Sequence, residues 1–237
     1  MKIKSIIFYA LVSVIFLGFG CQQKGTVNVD KLETQADSAS YALGVLIGAN
    51  NKENLAAAPG GSDISLEILT EVFRLYMLGD STSMDAAAAN EIVRGYFQKA
   101  TEEVGQKSLE EGNAFLEENK AKEGVVTTES GLQYEVLKEG DGAKPTAEDQ
   151  VKVHYHGTLI DGTVFDSSVD RGQPATFVVG KVIPGWTEAL QLMSVGSKYK
   201  LFIPSELAYG ERGSQGAIGP NSVLMFDVEL LEIVKAK

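Results

Sequence analysis

The spacing of apolar residues changes once along this chain and divides it into two folded parts. From residue 38 to about residue 104, apolar side chains recur at helical spacing, whereas from residue 124 onward they alternate with polar ones as in strands. A polar, aperiodic stretch over residues 22–37 is expected to be a flexible tether. The pattern predicts an α+β fold: an all-helical domain with a long stalk helix over residues 38–123, then an antiparallel sheet packed on one short helix over residues 124–237.

Three helices are predicted in the N-terminal part. A short one lies in SASYALGVLIGANN, and a second runs from Ile64 to Leu78. The third is expected to follow an N-cap at Ser83, with Asp85 in its first turn, and to extend to about Lys122. No proline interrupts this third helix, so it is expected to be long.

The apolar stripe of the third helix fades after Val104. Its first half is therefore expected to pack and its second half to be a solvated stalk. Gly105 and Gly112 each cost about 1 kcal/mol relative to alanine in a helix, and a break near either one remains an alternative. Two short apolar helices and half of a third make a thin core for one chain, so we predict a homodimer through residues 38–104.

Strand patterns and turn signals fill the C-terminal part. Val151 and Tyr155 belong to an alternating run, and Asp161-Gly162 is a strong hairpin dipeptide. Pro184 stands where a short helix can begin. A glycine-rich stretch, ELAYGERGSQGAIGPN, precedes the last strand. Loops of this length in compact domains are often functional, which makes this one a candidate part of a site.

The first 21 residues are typical of a secretory signal. Lys2 and Lys4 precede an uncharged apolar run that ends at Cys21. A cysteine directly after Gly20 resembles a bacterial lipobox, so Cys21 is the expected lipidation site, although Gly18 departs from the usual leucine. We expect an extracytoplasmic, periplasmic lipoprotein, with the outer membrane favoured over the inner. A single N-terminal anchor helix remains an alternative.

Composition and charge argue against several classes of function, namely nucleic-acid binding and metal binding. The net charge is -11, which argues against a nucleic-acid partner. Cys21 is the only cysteine, so neither a disulfide within one chain nor a cysteine-based zinc site can form. His154 and His156 share a strand face, but two ligands do not make a metal site. No metal is expected, and His154 is interpreted as a satisfied, partly buried residue rather than a base.

Several separate strings in residues 124–237 closely resemble the FKBP family of peptidyl-prolyl cis–trans isomerases. They are VHYHGTLIDGTVFDSS, VIPGW, LMSVGSKYKLFIP, LAYGERG and FDVELLEI. The helical N-terminal pattern is similar to the Mip-like subgroup, in which a dimerisation domain and a stalk helix precede the isomerase domain. The resemblance implies catalysis of rotation about X–Pro bonds of unfolded or secreted polypeptides. It also implies that no cofactor is needed and that macrolides are candidate inhibitors.

The resemblance also implies ten site residues. Asp166 and Tyr209 are the implied catalytic residues. The implied substrate-binding residues are Tyr155, Phe165, Phe177, Val182, Ile183, Trp186, Ile218 and Phe226. Trp186 would form the pocket floor, while the Ile183 N–H and the Tyr209 hydroxyl would donate to substrate carbonyls. Departures from the family pattern at Ala175, Ala217 and Ser214 bear on substrate preference and macrolide affinity.

Other interpretations of the same residues remain open. The aromatic set could be plain core, and Asp166 could be a structural acceptor for a hydroxyl or for Arg171 rather than a carboxylate acting on the substrate. At the level of the whole chain, the alternatives are a non-enzymatic dimeric chaperone for extracytoplasmic clients and an envelope spacer. An envelope spacer would have no need for the complete set of pocket residues, which argues against that alternative.

Overall fold

The computed structural model of the chain describes residues 29, 32–80, 82–214, 216 and 218–234. The predicted signal, Cys21 and most of the predicted tether lie outside the described residues. The chain divides into two compact units, residues 1–49 and residues 50–237. The predicted α+β class is confirmed, with helices first and an antiparallel sheet with a short helix after them.

Four α-helices are formed by the described residues. They are α1 (Gln35–Ala57), α2 (Leu66–Met77), α3 (Ala86–Asn119) and α4 (Pro184–Leu192). None of them is long and apolar enough to cross a membrane. Thr34 and Asp37 cap α1 reciprocally, because each accepts a hydrogen bond from the other's backbone N–H. The helix therefore begins inside the stretch that was predicted to be a tether.

The third helix is continuous over 34 residues, so the alternative of a break near one of its glycines is wrong. Asp85, rather than Ser83, is its N-cap, and its carboxylate accepts a hydrogen bond of 2.8 Å from the Ala88 N–H. The helix ends at Asn119, a few residues before the predicted end. At 1.5 Å per residue it is about 50 Å long.

The prediction of a packed first half and a solvated second half for α3 is also wrong for the single chain. The buried residues of α3 are Gly105, Gly112 and Asn119, seven positions apart and all in the second half. In the first half, Ile92 and Val93 remain exposed. The glycines allow the helix backbone to approach the sheet domain closely, because a Cβ on Gly112 would lie 2.8 Å from Cγ2 of Val223.

Within the described part of the chain, seven strands form one antiparallel sheet in the order β1-β2-β6-β7-β3-β4, and β5 pairs with β3. They are β1 (Val125–Thr127), β2 (Gln133–Lys138), β3 (Gln150–Leu159), β4 (Val164–Ser167), β5 (Ala175–Val178), β6 (Lys198–Ile203) and β7 (Leu224–Val234). The long strands β3 and β7 pair along their whole length, from Gln150 opposite Val234 to Leu159 opposite Leu224. This pair forms the centre of the domain.

Burial in β3 follows the alternation in its sequence. Val151, Val153 and Tyr155 are buried on the face that packs against α4. Helix α4 comes close to β6, because a Cβ on Gly185 would lie 2.4 Å from Cγ2 of Ile203. Trp186 and Leu190 on α4 belong to the same core cluster as the β3 residues. The sheet and α4 thus enclose one core, and the candidate site lies at its edge.

Candidate active site

A cavity of about 720 Å³ opens beside α4. All ten predicted site residues of the isomerase domain line it: Tyr155, Phe165, Asp166, Phe177, Val182, Ile183, Trp186, Tyr209, Ile218 and Phe226. Lys181, Ser214 and Gly216 complete the lining among the described residues. The structure thus brings together side chains that are up to 71 positions apart in sequence, from Tyr155 to Phe226.

Aromatic rings form the floor and one wall of the cavity. The Trp186 side chain is 4% exposed. Three rings pack edge-to-face on it, at centroid distances of 5.4 Å for Tyr155, 5.6 Å for Phe177 and 5.2 Å for Phe226. Edge-to-face packing of this kind adds to the stabilisation from burial and fixes ring orientation. The floor is therefore both core and cavity lining, so the two interpretations of the aromatic set are not exclusive.

Gly157 on β3 makes room for this wall, and the sequence analysis missed it. A Cβ on Gly157 would lie 2.8 Å from ring atoms of both Phe165 and Phe226. Those two rings are themselves 5.3 Å apart in an edge-to-face pair. The missed signal is the position of Gly157 two residues after Tyr155 in an alternating strand, where the next inward side chain is expected.

Asp166 lies at the rim in a hydrogen-bonded group with Tyr155 and Arg171. Its two carboxylate oxygens accept hydrogen bonds from the Tyr155 hydroxyl and the Arg171 guanidinium. Arg171 also donates to the Tyr155 hydroxyl over 2.8 Å. This geometry fits the interpretation of Asp166 as an acceptor for a hydroxyl and Arg171, and it also orients Tyr155.

The ionisation of this group follows from the same contacts. Burial acts to raise the pKa of Asp166, but the hydrogen bonds from Tyr155 and Arg171 outweigh it, so the pKa lies below its ordinary value of 3.8. Burial, and then the hydrogen bond to Asp166, raise the pKa of Tyr155 above 10.0. At neutral pH, Asp166 is therefore a carboxylate and Tyr155 a neutral phenol. With both oxygens occupied, Asp166 is not arranged to accept a proton.

Two donors at the cavity have no partner among the described residues. Ile183 is the N-cap of α4 and its carbonyl accepts from the N–H groups of Trp186 and Thr187, but its own N–H forms no hydrogen bond there. The Tyr209 side chain is 43% exposed, and no hydrogen bond of its hydroxyl is formed within the same residues. Both donors are thus free to bind carbonyl oxygens.

The two histidines lie outside the cavity lining. His154 Nδ1 is 3.1 Å from the Ser168 hydroxyl, which fits a satisfied, half-buried histidine. His156 Nδ1 is 2.9 Å from the Ser167 hydroxyl and 3.9 Å from an Asp170 oxygen. The described residues contain no group of three or more His, Cys, Asp or Glu side chains that could hold a metal ion.

Two family matches cover most of the chain. Residues 141–231 match the family described as FKBP-type peptidyl-prolyl cis-trans isomerase, and residues 36–136 match the domain amino terminal to FKBP-type peptidyl-prolyl isomerase. A relative from Escherichia coli (strain K12), the FKBP-type 22 kDa peptidyl-prolyl cis-trans isomerase, is 46% identical over 212 residues, which are 88% of this chain and 99% of that protein. The chain belongs to the family of FKBP-type peptidyl-prolyl cis-trans isomerases.

Other comparisons agree with the assignment to the FKBP-type isomerases. The outer membrane protein MIP of Legionella longbeachae is 42% identical over 212 residues, which are 86% of this chain and 88% of that protein. The crystal structure of FkpA from Escherichia coli matches with a TM-score of 0.62 and 33% identity, covering 87% of this chain and all of that one. The chain is accordingly an FKBP-type peptidyl-prolyl cis-trans isomerase, and its substrates contain proline.

Proposed function

We propose that isomerisation takes place in the cavity over Trp186, with the Tyr209 hydroxyl and the Ile183 N–H as donors to the carbonyls that flank the proline. The observation that supports this proposal is that two donors without a partner among the described residues line the same cavity as a floor of edge-to-face aromatic rings. Asp166 holds Tyr155 in place and adds a fixed negative charge at the rim. The same cavity is the proposed site for macrolide inhibitors.

Isomerisation in this cavity requires no nucleophile and no proton transfer, because no covalent bond is broken. Rotation about a peptide bond has a barrier of about 18–20 kcal/mol, which arises from charge separation between the amide oxygen and nitrogen. X–Pro bonds populate both isomers and exchange over tens to hundreds of seconds. An apolar floor disfavours the charge-separated planar amide and favours the less polar twisted one. Donors at the rim use binding energy to hold the flanking chain in the twisted geometry.

A protease-coupled tetrapeptide assay tests the proposed site. We expect Tyr209→Phe to lower kcat/KM by about tenfold, the effect of losing one hydrogen bond to the transition state, without loss of stability. Tyr134→Phe is the matched control, because its ring stacks on Tyr199 away from the cavity lining, and it should retain full activity. A wild-type rate no faster than that of an Asp166→Ala/Trp186→Ala double variant would overturn the proposed site.

We propose further that the protein is extracytoplasmic, acts on exported polypeptides, and is anchored by lipid on Cys21. The apolar segment after Lys2 and Lys4 supports export, and the name of the outer membrane protein MIP supports an envelope location. Cys21→Ser is expected to move the protein from the membrane fraction to the soluble fraction, because stable anchoring needs the acyl chains. Retention of the variant in the membrane would contradict lipidation at Cys21.

The proposed domain organisation assigns residues 38–123 to a dimerisation domain that includes the long helix α3, and residues 124–237 to catalysis. Dimerisation is supported by the surface of the helices: α2 buries none of its residues, although Ile68, Phe73 and Tyr76 are among its large apolar side chains. Apolar surface of this extent on helices needs a covering partner. A second copy of the chain, docked through residues 38–104, would provide it.

A further inference from the structure

The second half of α3 contacts the loop that precedes β7, here called the substrate-binding loop, through a hydrogen bond of Asn221 and the packing of Pro220. The Asn221 side-chain amide donates a hydrogen bond of 3.1 Å to the carbonyl oxygen of Gly105 in α3. Its backbone N–H donates a hydrogen bond of 2.9 Å to the carbonyl oxygen of Gly210. Asn221 therefore forms hydrogen bonds both with the helix and with Gly210, the first residue of the loop that runs from Gly210 to Asn221.

This loop contributes directly to the cavity. Ser214, Gly216 and Ile218 within it line the cavity, and Tyr209 immediately precedes it. The Ser214 N–H donates to the Ile218 carbonyl over 2.9 Å, so the loop also has an internal connection. Asn221 closes the loop three residues after Ile218, and its hydrogen bond to Gly210 reaches the residue that follows Tyr209.

The backbone at the junction is specialised for this contact. Asn221 has φ of 55°, and it is the only non-glycine residue with positive φ among those that the structure describes. Asparagine tolerates this conformation better than most residues do. Such a conformation is retained where the surrounding contacts determine it, and here those contacts come from both α3 and the loop.

Helix α3 has a glycine, Gly105, at the position where it contacts the loop. A Cβ on Gly105 would lie 3.1 Å from Cβ of Pro220 and 3.3 Å from the Asn221 amide nitrogen, so alanine here would require the loop or the helix to shift by a few tenths of an ångström. Pro220 is buried in this contact. Gly95 on the same helix has no atom within 4 Å of its built Cβ. Close approach therefore occurs in the second half of α3, where Gly105 meets the loop and Gly112 meets Val223.

We propose that α3 is a support for the substrate-binding loop and that Asn221 and Gly105 are positioning residues for isomerisation. They touch no substrate. They act by holding the base of the loop, and through it Ile218 and Tyr209, in the geometry that binds the peptide. This inference rests on the proposed role of the cavity, since it assigns a function to the loop that lines it.

Two substitutions at Asn221 separate the hydrogen bond from the backbone conformation. Asn221→Gly keeps the freedom to adopt positive φ but removes the amide donor. Asn221→Asp keeps the shape of the side chain but places an acceptor opposite the Gly105 carbonyl, which is repulsive. We expect KM for a tetrapeptide to rise about three- to tenfold in Asn221→Gly, the effect of one neutral hydrogen bond, and further in Asn221→Asp. The change in kcat should be smaller, because the loop binds substrate and transition state alike.

On the helix side, Gly105→Ala should raise KM in the same way, whereas Gly95→Ala on the same helix should leave it unchanged. Hydrogen exchange of the Ser214 and Asn221 amides gives a readout without substrate. Exchange at these amides should accelerate in Asn221→Gly and Gly105→Ala, while the Leu230 amide in the sheet, which donates to the Ser197 carbonyl, stays protected.

The outcomes separate this inference from the proposed function. A wild-type protein without isomerase activity would end the proposed function, but loop exchange would still report whether α3 holds the loop. Wild-type KM and wild-type exchange in both Asn221→Gly and Gly105→Ala would overturn the inference. So would an equal rise in KM for Gly95→Ala, because that would reflect a general effect of alanine in α3.

Discussion

Gly157 lies directly against Phe226, and a Cβ on Gly157 would stand 2.8 Å from Cε1 of that ring. The same Cβ would stand 2.8 Å from the Phe165 ring. Carbon atoms pack at about 3.5–4.0 Å, so a methyl group here forces both rings to move. Phe226 in turn packs edge-to-face on Trp186 at 5.2 Å. The backbone of β3 therefore determines the shape of the cavity wall as directly as any side chain does.

We predict that Gly157→Ala lowers kcat/KM in the tetrapeptide assay by at least about tenfold and destabilises the fold by about 1–3 kcal/mol, as overpacking does. Trp186 fluorescence, from the single tryptophan of the chain, should also change, because its neighbouring ring moves. Gly48→Ala is the matched control, since no atom lies within 4 Å of its built Cβ. Full activity in Gly157→Ala would mean that the wall can rearrange without affecting catalysis.

The carboxylate of Asp166 predicts a pH dependence of stability. Its pKa is lower in the folded protein than the ordinary value of 3.8, so it stabilises the fold above that value and ceases to do so as the pH falls through the folded pKa. The difference in urea midpoint between wild type and Asp166→Asn should therefore be constant near neutral pH and shrink below about pH 3.8. The side chain is 45% exposed, so the effect is expected to be small.

The same measurement in an Arg171→Gln background is the control for that titration, because Arg171 donates one of the hydrogen bonds that lower the pKa of Asp166. The pH-dependent difference should be smaller in that background. If the difference between wild type and Asp166→Asn persisted unchanged to about pH 2, the stabilising form of Asp166 would not be the carboxylate.

The catalytic domain was predictable because its signals are local and repeated. Alternation located strand β3, Pro184 marked the start of α4, and separate family strings supplied the cavity residues, all ten of which line one cavity. Their roles remain predictions, since contact with a cavity does not by itself assign a role. The group of Asp166, Tyr155 and Arg171 was anticipated only in part, because three-way contacts depend on side-chain geometry that no spacing rule encodes.

The second half of α3 was predicted wrongly for a physical reason. Burial was judged from apolar side chains, and these fade after Val104, but the fully buried residues of that half are Gly105, Gly112 and Asn119. Glycine offers no hydrophobic signal in a sequence, although it permits the closest approach of two backbones. Burial of the Asn119 amide is offset by the hydrogen bond of 2.9 Å that it donates to the Gln133 side chain, a partner 14 residues away.

The exposed face of α2 gives a prediction about assembly. Phe73→Glu should convert the protein from about two chain masses to about one in light scattering, because a charge in an apolar interface is costly to bury. Phe73 is 49% exposed in the single chain, so the substitution should not unfold the chain itself. Glu67→Gln, at an exposed polar position of the same helix, should leave the mass unchanged. A dimer that survives Phe73→Glu would place the interface elsewhere.

The same substitution on α3 is expected to have opposite effects on stability at two positions. At Gly95, where no atom of the single chain lies within 4 Å of a built Cβ, alanine should stabilise the monomeric Phe73→Glu variant by up to about 1 kcal/mol through helix propensity. At Gly112, the Cβ would stand 2.8 Å from Cγ2 of Val223, a stiff β-branched side chain that is 4% exposed. Gly112→Ala should therefore destabilise by about 1–3 kcal/mol, since overpacking outweighs propensity. Urea unfolding of both variants measures this difference, and stabilisation by Gly112→Ala would show that α3 does not pack on the sheet domain in solution.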